Sequence, residues 1–140
     1  VSTAPFRLRA IDHVVLRIRD LNASLHFYCD ILGCSLDKVQ EAVGLWQVRA
    51  GVSLIDLVPL DGMLGKRGGA APGAGARNLD HFAIQVTPFD EDKIRAHLAA
   101  HGIAVVESGR RYGAQGEGPS VYIQDPDGNT VELKGPPAAA

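Results

Sequence analysis

Two stretches of this chain repeat one another, and the repeat constrains the fold more than any other feature. "IDHVVLRI" (11–18) returns as "LDHFAIQV" (79–86): an apolar residue, Asp, His, then an apolar run. Asp12-His13 becomes Asp80-His81, an offset of 68. The ends of the halves match as well. "SLIDLVPL" (53–60) sets Asp56 inside an apolar strand, and "NTVELKG" (129–135) does the same with Glu132, an offset of 76. The additional residues of the second half are expected in a longer loop around "RRYGAQGEG" (110–118).

The elements between these landmarks also correspond. After a strand at 11–19, Asp20 or Asn22 can cap a helix. Leu21, Leu25, Tyr28 and Leu32 then recur at helical spacing, and Gly33 is placed to end it. Strands are predicted near 35–41, 44–49 and 52–59. In the second half a helix is predicted over about 90–101, with Ile94 and Leu98 inward and Gly102 ending it. Strands follow near 103–107, 119–124 and 129–134, the last two joined by the turn "DPDG" (125–128). The chain therefore reads as two tandem βαβββ units, an α+β fold. Unit one covers about 8–60, a linker 61–77, unit two about 78–134, and 135–140 is expected to be a disordered tail.

A lone strand histidine is ordinarily a packed, hydrogen-bonded residue. One that recurs at the same place, with an acidic strand behind it, is not explained that way. If first and last strands are neighbours in each unit, each His and its acid point to one face. Two such faces brought together make a site of two His and two carboxylates. Buried carboxylates are costly unless paired or on a metal. The set suits a borderline divalent ion: zinc, nickel, cobalt, manganese or iron(II).

The whole-chain balance is ordinary for 140 residues, with a net charge of −2 that offers no basic field for nucleic acid or anionic lipid. No nucleic-acid motif appears. No apolar run approaches the roughly 20 residues of a membrane helix, and the N-terminus has no apolar core of signal-peptide length. Cys29 and Cys34 lack zinc-finger or disulfide-framework spacing and are expected to be reduced packing residues in a cytoplasmic protein.

Three segments taken in order, "IDHVVLRIRDLNASLHFYCDILG" (11–33), "LDHFAIQV" and "VYIQDPDGNTVEL" (121–133), carry a resemblance to the vicinal oxygen chelate superfamily. That group includes glyoxalases, fosfomycin-resistance proteins, extradiol dioxygenases and bleomycin-resistance proteins. The resemblance spans 8–134 as a single domain and is nearest to the small glyoxalase-domain proteins. It implies a curved, open barrel-like mixed sheet with helices outside and the metal within. It places the metal ligands on His13, Asp56, His81 and Glu132. Asp56 stands where the family usually has Glu, Gln or His; its shorter side chain is either a weaker fourth ligand or a plain buried, hydrogen-bonded acid. The resemblance also implies a small-molecule substrate and a homodimer.

Arg17, four residues after His13, matches an arginine that holds a glutathione carboxylate in lactoylglutathione lyases; the alternative is a solvated strand arginine. The asparagine of those lyases falls on Leu60, which weakens glutathione as thiol partner. Arg111 and Tyr112, read as loop residues, are candidates to close over an anionic substrate, and Tyr122 to wall the pocket. "DGMLGKRGGAAPGAGAR" (61–77) fails the phosphate-loop pattern at Leu60 and Arg67 and reads as a flexible linker, with a flap over a site as the alternative.

The implied activity is that of a divalent-metal enzyme of glyoxalase type. It acts as a lyase or isomerase on vicinal oxygens through an enediolate-like intermediate, with Glu132 as the group that moves the proton. The alternatives are an iron(II) extradiol-type dioxygenase, or a non-catalytic small-molecule or drug-binding resistance protein.

Overall fold

Alternation along the first strand sorts its residues by face. In β1 (His13–Ile18), Leu16 and Ile18 are fully buried, while His13, Val15 and Arg17 point the other way. The computed structural model describes residues 3–137. The first unit continues with β2 (Ser35–Gln40), β3 (Leu45–Ala50) and β4 (Ser53–Pro59), in the sheet order β1-β4-β3-β2. The second contains β5 (Phe82–Gln85), β6 (Glu107–Gly113), β7 (Gly116–Gln124) and β8 (Thr130–Lys134), in the equivalent order β5-β8-β7-β6. First and last strands pair in parallel and the others antiparallel, so each sheet is mixed. Parallel pairing needs a crossover, and each unit supplies it with a helix. Neither sheet closes into a barrel.

The crossover helices start on side-chain caps. Asp20 accepts from the Ala23 amide at 2.9 Å, opening α1 (Leu21–Leu25), which passes into a π-helical stretch, His26–Ile31. Asp90 accepts from the Lys93 amide at 3.1 Å and opens α2 (Glu91–Ala100). Gly33, at φ 88°, ends the first helix in the left-handed region that glycine enters without cost to a side chain.

One hydrophobic cluster draws on both units. Leu16, Ile18, Ile55 and Leu57 come from the first sheet, and Val121, Ile123, Val131 and Leu133 from the second. Phe27, Tyr28, Ile31 and Leu98 of the helices pack among them. Each such side chain contributes about 1.5–3 kcal/mol on burial. The Tyr28 hydroxyl donates to Asp125 Oδ2 at 2.6 Å across the two units, and His97 Nε2 lies 2.8 Å from the Ile31 carbonyl. Each sheet therefore buries one face in the shared core. Its other face, with the histidine and the acid, turns away from that core.

Several details differ from the sequence reading. Residues 110–118 form the turn-side half of a β-hairpin instead of a loop, and β6 begins at Glu107, not near 103. The extra length of the second unit lengthens these paired strands. They escape notice because one face carries Gly109, Gly113, Gly116 and Gly118 and so lacks apolar alternation. The segment 61–77 contains a 3-10 turn, Gly65–Gly68, and is tied to β1 by hydrogen bonds described below. Of the tail, Gly135 is buried and donates to the Pro119 carbonyl at 2.8 Å, so order extends past Lys134; 138–140 lie outside the described residues. Cys29 and Cys34 are free thiols, and burial pushes the Cys34 thiol up to about 11. Among the described residues no helix is long and apolar enough to cross a membrane.

Candidate metal centre

Parallel pairing of β1 with β4 sets Val15 beside Asp56, and pairing of β5 with β8 sets Ala83 beside Glu132. The preceding histidine in each unit lies one alternation back on the same face. His13 Nε2 lies 3.8 Å from Asp56 Oδ2, and His81 Nε2 lies 3.3 Å from Glu132 Oε1. The other ring nitrogens repeat as well: His13 Nδ1 is 2.7 Å from Asp12 Oδ2 and His81 Nδ1 is 2.6 Å from Asp80 Oδ2. An Nδ1–H that donates to a carboxylate leaves the Nε2 lone pair facing the buried acid. That is the tautomer and orientation of a metal-ligating imidazole.

Electrostatics agree with the geometry. The Asp12 hydrogen bond, with help from the Asp56 charge, holds the His13 pKa above its ordinary value. The His81 hydrogen bond holds Asp80 below the usual carboxylate range. Asp56 and Glu132 are only 4% and 5% exposed. Among the described residues neither has a Lys or Arg in ion-pair contact, its one such contact being its histidine. Two buried acids facing two imidazole lone pairs are an expensive arrangement without a cation and a suitable donor set with one. The donor types thus suit a divalent ion once the two pairs are brought together.

Further hydrogen bonds fix the acids. Gln47, opposite Asp56 on β3, donates its amide to both carboxylate oxygens, at 3.1 and 3.2 Å. Ser120 donates its hydroxyl to Glu132 Oε2 at 2.7 Å, leaving Oε1 on the histidine side. Tyr122, opposite Glu132 on β7, sets its ring edge-on to His81 with centroids 5.7 Å apart. Burial, then Glu132, raises the Tyr122 pKa. The Arg111 guanidinium lies 5.5 Å from the same ring and donates to Glu107 at 3.0 Å.

The two His–acid pairs do not meet within the chain. Among the described residues no three His, Cys, Asp or Glu side chains form a group able to hold a metal. Two of the substrate candidates are also displaced from the roles expected of them. Tyr112 is 87% exposed and, next to Arg111 on a strand, points to the opposite sheet face. Arg17 is not free: Nε donates to Gly65 O at 3.0 Å, Nη1 to Gly68 O and Ala70 O at 3.1 and 3.0 Å, and Nη2 to Gly69 O at 2.8 Å. Arg111 and Tyr122 remain on the Glu132 face. Asp12, Asp80, Gln47 and Ser120 have no site role in the sequence reading. The aspartates were visible in the repeated Asp-His pair, whereas Gln47 and Ser120 emerge only from strand register.

The sequence pattern of the Glyoxalase/Bleomycin resistance protein/Dioxygenase superfamily matches residues 10–133. The virulence protein STM3117 of Salmonella typhimurium is 34% identical over 129 residues, covering 88% of this chain and 81% of that protein. Its crystal structure superposes with a TM-score of 0.76 at 25% identity, covering 94% and 99% of the two chains. The lactoylglutathione lyase of Agrobacterium tumefaciens gives a TM-score of 0.67 at 26% identity, covering 92% and 95%. The catechol-2,3-dioxygenase of Bacillus subtilis is 32% identical over 126 residues, covering 88% of this chain but 40% of the longer enzyme.

Proposed function

The chain belongs to the glyoxalase/bleomycin resistance protein/dioxygenase superfamily, and from that premise we propose that it is a divalent-metal-dependent enzyme of glyoxalase type, a lyase or isomerase acting on a small substrate with vicinal oxygens. The observation that carries this reading is the doubled relay, Asp12–His13–Asp56 and Asp80–His81–Glu132, built at equivalent positions of two sheets. The protein is a homodimer. Each site combines His13 and Asp56 of one protomer with His81 and Glu132 of the partner subunit. Two facts support this: both His–acid faces turn away from one shared core, and no three of these side chains form a metal-holding group among the described residues. Two-fold dimers are also the commonest assembly.

A bound zinc, nickel, cobalt, manganese or iron(II) ion would supply polarisation of neighbouring substrate oxygens, which lowers the pKa of the adjoining C–H. His13 and His81 present Nε2 as ligands. Glu132 is the proton carrier: the Ser120 hydroxyl holds Oε2, and Oε1 takes the proton from carbon and returns it. Asp56, one methylene shorter and gripped on both oxygens by Gln47, is the weaker ligand. A second reading, iron(II)-dependent ring-opening dioxygenation, is favoured by His13, His81 and Glu132 taken as a two-His, one-carboxylate set. The likeness to catechol-2,3-dioxygenase points the same way.

Metal analysis of the purified protein, with a methylglyoxal–thiol assay run without oxygen, tests the proposal. Stoichiometric metal and oxygen-independent turnover are expected. A protein devoid of divalent metal after purification and reloading would refute it. Activity on catechols that consumes oxygen and requires iron(II) would replace it with the second reading.

A further inference from the structure

The segment 61–77 carries an unexpected feature. Four of the five N–H donors of Arg17 are taken by the carbonyls of Gly65, Gly68, Gly69 and Ala70. A carboxylate cannot dock bidentately on this guanidinium without evicting the loop. The contact also dictates the residue at 68. A Cβ there would lie 2.5 Å from both Cζ and Nη1 of Arg17, so only glycine lets the guanidinium lie against the backbone. Arg19 makes a further tie, donating to the Pro72 carbonyl.

Next to Gly68 stands Arg67, a cation of opposite status. Among the described residues its side chain has no hydrogen bond or ion pair. It lines a cavity of about 560 Å³ on the site face of the first sheet, together with Asp56, Val15, Val58, Leu45 and Leu64. The register orders this cavity: Val15 sits beside Asp56, and Arg17, which holds the loop, sits beside Val58 one alternation further on. An occupant thus meets Asp56 first, then an apolar stretch, then the loop that carries Arg67.

We propose that Arg67 is a specificity-determining residue that binds an anionic group on the substrate, and that Arg17 is a positioning residue that seats the loop for it. The substrate class is then a small molecule with a vicinal oxygen pair at one end, an apolar body, and a carboxylate or similar anion at the other. This deepens the reading of His13 and Asp56 as the oxygen-binding end of the site, and rests on it.

The test compares two probes that share one catechol, 3,4-dihydroxybenzoate and its neutral methyl ester. Binding is measured by calorimetry without oxygen, at low salt, on zinc-loaded protein whose zinc content is determined in the same sample. The acid is expected to bind about five- to tenfold more tightly than the ester, the scale of a charge-assisted contact in a partly open cavity. Arg67→Ala should bring the ratio to about one, and Arg67→Lys should retain part of it. Gly68→Ala should also lower it, with faster proteolysis at 65–70 as the loop leaves Arg17. Equal affinities in the unaltered protein, an unchanged ratio in Arg67→Ala, or no saturable binding of either probe up to about 10 mM would each overturn the proposal. The acid-to-ester ratio isolates the anionic contact because the catechol is common to both. Failure of the metal reading shows instead in the zinc content.

Discussion

Mixing two crippled variants tests the shared site most directly. His13→Ala and His81→Ala each remove one imidazole, and each variant homodimer then has two damaged sites. In a mixed dimer the damage is distributed unevenly. One site pairs the intact His13 half with the intact His81 half, and the other collects both lesions. Random reassociation makes half of the dimers mixed, and half of the sites in those dimers are whole. Equimolar variants, unfolded and refolded together, should recover about a quarter of the wild-type metal content, against nearly none for either variant alone. Metal content is read by atomic spectrometry after desalting into chelator-treated buffer. A recovery near zero, with dimers confirmed by sedimentation, would refute sharing of the site between protomers. Stoichiometric metal in His81→Ala alone would refute the ligand set itself. The level of a quarter follows from two-fold symmetry and from the placement of the pairs on separate sheets.

Other outcomes follow from the same geometry. Asp80→Asn weakens the hold on His81 Nδ1 and should lower metal affinity about 10–100-fold in a chelator competition, with the fold unchanged by circular dichroism. Glu132→Gln should keep most of the metal and lose about two to four orders of magnitude in turnover once a substrate is in hand. In metal-free protein the His13 ring should titrate by NMR above its ordinary value of 6.5, and Asp12→Asn should move it back down. Because folding raises this pKa, the small stabilisation it brings is complete below the unfolded value and disappears as pH rises through the folded one. Tyr28→Phe leaves Asp125 without its 2.6 Å hydroxyl donor in a buried setting and should destabilise the protein by about 1–3 kcal/mol, measured by denaturant unfolding.

Much of the fold was legible because it rests on short-range patterns that occur twice. The Asp-His pair, the alternation in β1 and β5, the cap at Asp20, and Gly33 are local signals, and Asp20 makes its predicted contact. The hairpin β6–β7 was hidden because glycines on one face remove the apolar alternation that marks a strand. Arg17 illustrates a different limit. Its place in β1 is local, but the carbonyls that occupy it lie 48 to 53 residues away, and nothing near Arg17 in the chain announces them.

The sequence by itself determined that two similar units exist, which residues alternate toward the core, and that each unit pairs one imidazole with one carboxylate. Those properties follow from strand periodicity and from the parallel pairing that a helical crossover requires. Tertiary structure alone decided how the halves are disposed. It set both sheets on one core, turned their His–acid faces outward, and put Gln47 and Ser120 against the acids. It also folded the glycine-rich segment onto Arg17 and left Arg67 facing the cavity. The physical reason is that these contacts depend on which strand or loop lies beside which: Gln47 and Ser120 reach the acids through the antiparallel register of neighbouring strands, and the glycine-rich segment reaches Arg17 across 48 to 53 residues of chain.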